Sequence, residues 1–234
     1  MRRCSMTRYK YRMTGVVLQS QDDAPAGLVG NWADERGLPL QTVRVDRGEP
    51  LPEPRDAAFA VVLGSSASVA TLDRDWIAPT IDWLRAADAA CRPVLGICFG
   101  AQALAAALGG RVHRLPEREI GWVTIQSADP ERIASGPWLT WHEDGIELPP
   151  LAYELARNRF GVQAYCHCRH LAVQFHPEVT PEIVADWARG DAPPELDREA
   201  LLAATARNAQ AAAAAATRLF DGFAARAGLA ALAS

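Results

Sequence analysis

A chain of 234 residues has room for one sizeable domain and is short for two. Its apolar fraction of 49% supports a full core, and no apolar run is long enough to span a bilayer. The net charge of −4 is spread through both signs, without the clustered positive excess of a nucleic-acid binder, and five cysteines without a small-scaffold spacing point to a reduced, cytoplasmic protein.

The elements follow in chain order. Residues 1–14 are basic but lack a hydrophobic h-region, so they read as a flexible lead-in and not a secretory signal. Gly15 to Gln19 is a first strand. Ala26 to Arg36 is a helix that Gly37 stops. Thr42 to Asp46 alternates like a strand, and a proline-rich loop from Pro50 to Pro54 follows. Ala58 to Leu63 is apolar throughout, the mark of a strand buried on both faces. Asp75 to Ala90 reads as a helix, and Val94 to Ile97 as the next strand. Strand–helix alternation of this kind predicts an open, mostly parallel sheet flanked by helices, with functional residues at the carboxyl ends of its strands.

Cys98 stands at such an end. The run Val94-Leu95-Gly96-Ile97-Cys98-Phe99-Gly100 passes directly into the helix-prone Ala101 to Leu108. A strand, a very tight turn and a helix would put the cysteine on an exposed elbow, with small residues where strand and helix nearly touch. The free N–H groups of the helix start favour thiolate over thiol, which makes Cys98 a candidate nucleophile. Downstream, the strand-like Leu171 to Phe175 ends in His176-Pro177-Glu178. A nucleophilic thiol needs a base, and that base needs a carboxylate to orient it. The candidate catalytic set is therefore Cys98, His176 and Glu178.

Past Gly109-Gly110 the pattern changes to short strands at Arg111–His113, Trp122–Ile125, Phe160–Tyr165 and Leu171–Phe175, a small antiparallel region. The last two pair as a hairpin through a turn over Cys166 to His170. That turn, Cys166-His167-Cys168-Arg169-His170, carries metal-capable residues but lacks the second ligand pair of a structural zinc site, so no metal is assigned. Thr180 caps a helix to Ala188 with Pro181 in its first turn. Asp191 to Pro194 is a linker. Glu195 to Ala230 is alanine-rich and reads as one long helix, or two, lying on the domain. The expected division is thus 1–14, a domain over 15–190, and a helical extension over 191–234.

Gly96-Ile97-Cys98-Phe99-Gly100-Ala101-Gln102 and Gln174-Phe175-His176-Pro177-Glu178, in this order and roughly eighty residues apart, resemble the class I (triad) glutamine amidotransferases. The likeness runs from about Gly15 to Trp187 and is strongest to free-standing members without a synthase domain. It implies the flavodoxin-like fold of that family. It also implies hydrolysis of the glutamine side-chain amide through a γ-glutamyl thioester on Cys98, with no cofactor. The resemblance assigns oxyanion donors to Phe99 and to the loop at Gly64 and Ser65, where the family pattern is glycine-rich and this chain has Gly64-Ser65-Ser66-Ala67. A serine at the donating position resists positive φ. Gln102 is implied as a contact to the substrate's amino-acid end, and Glu119 to Trp122 and Thr140 to Asp144 as pocket walls. Trp141, His142 and Asp144 are the pocket candidates in the second segment, where Trp141 and Glu143 replace small family residues. His142 is the rival base.

Two alternatives stay open on these residues. One is a γ-glutamyl hydrolase or peptidase using the same three residues. The other is a non-catalytic regulatory subunit. The expected partners are L-glutamine or a γ-glutamyl compound, a separate ammonia-accepting synthase chain, and a second copy in a homodimer, with neither nucleic acid nor membrane.

Overall fold

The computed structural model of the protein describes residues 14–190 and 192–229. All but the last residue of the expected lead-in lies outside that range. The order of elements is β1 (Gly15–Gln19), α1 (Gly27–Glu35), β2 (Leu40–Arg44), β3 (Ala60–Val62), α2 (Ile77–Ala89), β4 (Val94–Ile97), α3 (Phe99–Ala107), β5 (Arg111–Val123), β6 (Gln126–Ser127), β7 (Trp138–Glu147), β8 (Tyr153–Asn158), β9 (Gly161–His167), β10 (His170–Val173), α4 (Pro181–Arg189) and α5 (Arg198–Ala227).

Eight strands form one sheet in the order β2-β1-β3-β4-β10-β9-β8-β6. The first five are parallel to their neighbours, and the rest are antiparallel. The fold is therefore α/β, with a mostly parallel centre and an antiparallel flank. The parallel strands are buried on both faces, which is why they read as continuous apolar runs. Alternation sends Val17, Val61, Leu95 and Val173 to one face, where they pack with Val29 and Trp32 of α1 and Leu219, Phe220 and Phe223 of α5. Val16, Ala60, Val62 and Val94 face the other way, onto Ile77 and Leu84 of α2 and Ala101 and Leu104 of α3.

Helix α5 is one helix, not two. Asp197 caps it by accepting from Ala200 N at 2.9 Å, and Gly228 closes it in the left-handed conformation. The indole N–H of Trp32 donates to Asp221 at 2.9 Å, and that of Trp122 donates to the Thr205 hydroxyl at 2.9 Å.

The second half departs from the sequence reading. The strands expected at Arg111–His113 and Trp122–Ile125 are the two ends of a single strand, β5. It pairs with β7 as a separate two-stranded antiparallel ribbon, with a register shift between Arg114 and Glu119 that accommodates Pro116. β7 and β8 had no strand assignment from sequence. β2 lies two residues earlier than expected, and Val45–Arg47 forms a single 3-10 turn. The β9–β10 hairpin closes more tightly than expected, on Cys168 and Arg169, with His167 paired to His170.

Candidate functional site

The elbow between β4 and α3 is set by three contacts. A Cβ on Gly96 would lie 2.6 Å from the Gly100 carbonyl oxygen, and a Cβ on Gly100 would lie 2.0 Å from that of Val62. Strand and helix therefore touch backbone to backbone, and only glycine fits at either point. Cys98, between them, is forced to φ 50° and ψ −107°. A non-glycine residue in that region carries strain, and such strain clusters at functional sites. Cys98 N–H is held by Val173 O at 2.8 Å, and Tyr165 OH donates to Ala101 O at 2.8 Å to fix the first helical turn.

His176 and Glu178 reach the same point from the loop after β10. His176 N–H donates to Leu139 O of β7 at 2.8 Å, and Glu178 O accepts from Leu28 N of α1 at 2.8 Å. The loop is thus pinned at both ends. His176 Nδ1 donates to Glu178 Oε1 at 2.7 Å, and both residues are buried. A Cβ on Gly64 would come within 2.8 Å of His176 Cε1 and 3.6 Å of Cys98 Cβ, so the Gly64 loop, the thiol and the imidazole meet at one place. Nε2, the ring's other nitrogen, has no hydrogen bond of its own and is charge-coupled to Cys98. Burial disfavours the imidazolium, but the charges of Glu178 and Cys98 outweigh it and hold His176 well above the ordinary histidine range.

A cavity of about 290 Å³ opens over these residues, lined by Gly64 to Ala67, Cys98, Gln102, Trp141 to Asp144, His176 and Trp187, with Gln21, Asp23 and Arg114 at its margins. Every site residue picked from the sequence except Phe99 and Glu178 lines it. Phe99 lies behind the elbow, its ring 5.2 Å from that of Trp76, while its N–H belongs to the first turn of α3, where helical N–H groups have no intrahelical partner. Ser65 is not among the residues with positive φ, so the serine sits in its loop without the strain expected of it. The loop is tied down instead by side chains. Ser66 N–H donates to Gln21 at 2.7 Å, Ala67 N–H to Ser65 Oγ at 3.1 Å and Ser68 N–H to Asp73 at 3.0 Å.

The wall opposite the elbow comes from the β5–β7 ribbon. The Cys98 thiol donates to Trp141 O at 3.7 Å. The Trp141 and His176 rings both pack edge-on against Trp187 of α4, at 5.7 and 4.8 Å. Gln102 Nε2 donates to Asp144 O at 3.3 Å and to Gln174 Oε1 at 3.2 Å. Asp144 is buried and accepts from Ser68 Oγ at 2.6 Å and Arg114 Nη1 at 3.1 Å. Both ring nitrogens of His142 face acceptors: Nδ1 lies 2.9 Å from Asp144 O and Nε2 2.7 Å from Glu119. Glu119 in turn accepts from Asn158 at 2.5 Å and Gln163 at 2.9 Å. His142 has no free nitrogen for acid–base work, unlike His176. Of the Glu119 to Trp122 segment, Glu119 braces this network and Trp122 packs on α5, so neither lines the cavity.

Four cavity residues escaped the sequence reading: Gln21, Asp23, Arg114 and Trp187. Nothing in their local sequence marks them, since each reaches the cavity only through tertiary contacts, such as Trp187 Nε1 donating to Asp23 O at 2.7 Å. At the hairpin, His170 is spent structurally. Its Nδ1 accepts from Val94 N–H at 3.1 Å and its Nε2 lies 3.0 Å from Asp88. Among the described residues no group of three or more His, Cys, Asp or Glu side chains gathers as a metal site would require. No described helix is long and apolar enough to cross a membrane.

Comparison with known proteins agrees with this geometry. The model of the glutamine amidotransferase class-I family matches residues 34–184. Gamma-glutamyl peptidase 4 of Arabidopsis thaliana is 33% identical over 168 residues, 65% of this chain and 66% of that protein. The glutamine-hydrolyzing GMP synthase of Desulfotalea psychrophila is 34% identical over 105 residues, 39% of this chain. The matched part spans only 20% of that synthase. A crystal structure of a glutamine amido transferase from Methylobacillus flagellatus superimposes with a TM-score of 0.82 at 26% identity, covering 92% of this chain and 95% of its own. The chain belongs to the class-I glutamine amidotransferase family.

Proposed function

We propose that this protein hydrolyses the side-chain amide of L-glutamine through a γ-glutamyl thioester on Cys98. The observation that carries the reading is the strained Cys98 elbow, φ 50°, with a buried His176–Glu178 pair in front of it. His176 takes the thiol proton, and the sulfur attacks the amide carbon. Phe99 N–H and Ser65 N–H receive the developing oxyanion, which preorganised donors stabilise without reorganising. His176 returns the proton to the departing ammonia. It then draws a proton from water, which attacks the thioester and releases glutamate. Glu178 keeps the imidazole oriented throughout and offsets its charge.

Ammonia would pass to a synthase on another chain, a reading supported by the relative whose name is glutamine-hydrolyzing GMP synthase. A cytoplasmic location belongs to the same proposal. A second reading, hydrolysis of γ-glutamyl peptides, has its own support in the likeness to gamma-glutamyl peptidase 4 over 65% of the chain. The strained elbow counts against a purely regulatory role, since a scaffold has no need of it.

The test is release of glutamate and ammonia from L-glutamine by the purified protein, beside a panel of γ-glutamyl dipeptides, with Cys98→Ala as control. Glutamine turnover that vanishes in Cys98→Ala is the expected result. Turnover of dipeptides alone would shift the assignment to the second reading, and inactivity on both would overturn the first.

A further inference from the structure

We infer that Arg114 is the carboxylate anchor of this pocket, selecting substrates whose γ-glutamyl unit has a free α-carboxylate. The inference rests on the hydrolytic reading of Cys98 and adds a specificity residue to it.

Among the described residues lining the cavity, Arg114 is the one permanent cation. Its position is built, not incidental. Arg114 and Asp144 are directly paired across the β5–β7 ribbon. Asp144 accepts from Arg114 Nη1 at 3.1 Å, while its second oxygen is held by Ser68 Oγ at 2.6 Å. Glu143 bonds Arg114 Nη2 from the other side and is itself drawn to Arg118 Nε at 2.5 Å. A guanidinium has five N–H donors, and these two bonds leave three. The side chain is 55% exposed, so the remaining donors are open to a ligand. A guanidinium already locked in place loses little freedom when it binds a planar carboxylate.

The direction of the substrate follows from the chemistry. The leaving nitrogen must face His176, because His176 protonates it. His176 stands against Gly64 and Trp187. The acyl half that remains on sulfur must therefore run the other way, along β7 from Trp141, whose carbonyl lies 3.7 Å from the sulfur, toward Asp144. Those three residues advance about 10 Å along the strand. The α-carboxylate of a glutamyl group is four bonds from the reacting carbon, which carries it toward Asp144, and the arginine held there covers the remaining distance.

The test compares L-glutamine with L-glutaminamide, in which the α-carboxylate is replaced by a neutral amide. KM and kcat are measured for both on the wild type, Arg114→Gln and Arg114→Lys. Calorimetric binding of both ligands is measured in the Cys98→Ala background. Arg114→Gln should raise KM and Kd for L-glutamine by about 10- to 100-fold, the weight of a hydrogen bond to a charged group. L-Glutaminamide should change by less than about twofold, and Arg114→Lys should recover part of the loss. Equal weakening of both ligands, or of neither, overturns the assignment. If hydrolysis is absent yet the binding difference persists, the anchor stands and the proposed reaction falls.

Discussion

Gly64→Ala is a substitution that should strike the chemistry while sparing the fold. Gly64 lies at ordinary negative φ, so alanine meets no backbone penalty there. Its new methyl group would sit 2.8 Å from His176 Cε1. Carbon atoms in contact prefer about 3.5–4.0 Å, so the ring must retreat by about 1 Å. The ring has little room to do so gracefully. Its Nδ1 is bonded to Glu178 at 2.7 Å, and its face meets Trp187 at 4.8 Å. Overpacking of this size costs about 1–3 kcal/mol of stability, a fall in Tm of about 2–4 °C for each kcal/mol in a chain this long. A 1 Å displacement of a catalytic group costs about 100-fold in rate. We therefore expect kcat/KM for L-glutamine to fall about 100-fold in a protein that still melts cooperatively, with alkylation of Cys98 by iodoacetamide slowed in parallel. Gly100→Ala is the contrast, because its methyl would meet a backbone oxygen at 2.0 Å that cannot move aside, and the fold itself should fail. Wild-type turnover and alkylation in Gly64→Ala would refute the placement of His176 over the thiol.

Three further outcomes are expected. His176 is held above the ordinary histidine value: burial opposes its charge, and Glu178 and Cys98 outweigh burial. The folded chain then binds the extra proton, so this stability is whole below about pH 6.5 and fades as pH rises through the raised folded value. Glu178→Gln should flatten that fall in Tm between pH 6.5 and 9, and parallel slopes in both proteins would count against the coupling. His170 is shifted the other way, lowered by burial against the opposing pull of Asp88. Its contribution is present above about pH 6.5 and lost as pH falls through the depressed folded value, so His170→Gln should show a shallower acid decline in thermal melts. Phe223 of α5 is 1% exposed and packs edge-on against Phe59 at 6.2 Å. Phe223→Ala should cost about 3–5 kcal/mol in urea unfolding, and a loss below 1 kcal/mol would mean that α5 is not part of the core.

The first half of the fold was legible because its strands are short, wholly apolar and separated by helices with clear stops, such as Gly37 at φ 63°. The ribbon was not. β5 is rich in charge and contains Pro116, and its burial alternates irregularly around the register shift. Arg111–His113 and Trp122–Ile125 stood out only as its apolar ends. β7 is buried over most of its length, yet Thr140, His142, Glu143 and Asp144 break any apolar run, because these polar groups are satisfied by one another and by β5 rather than by water. A pattern rule that expects polar residues outside fails where polar residues form a closed network.

The site divides along the same line. Cys98, His176 and Glu178 were readable because each lies where local sequence determines local geometry. Gly96 and Gly100 fix the elbow, and Pro177 stands between the histidine and its acid only two residues on. Gln102 was readable for the same reason, one helical turn beyond the cysteine. The other side of the pocket depends on the register of two strands forty or more residues from the elbow in either direction of the argument: Arg114 is meaningful only because β5 sets it opposite Asp144. Trp187 is meaningful only because α4 folds back to place its ring between Trp141 and His176. Reaction chemistry is therefore written in motifs, while the groups that decide which substrate is accepted are written in strand pairing and helix docking. A relative could keep Gly96 to Gln102 and Gln174 to Glu178 intact and still change its substrate by a single slip between β5 and β7, since such a slip would remove Arg114 from Asp144 and leave the thiol untouched.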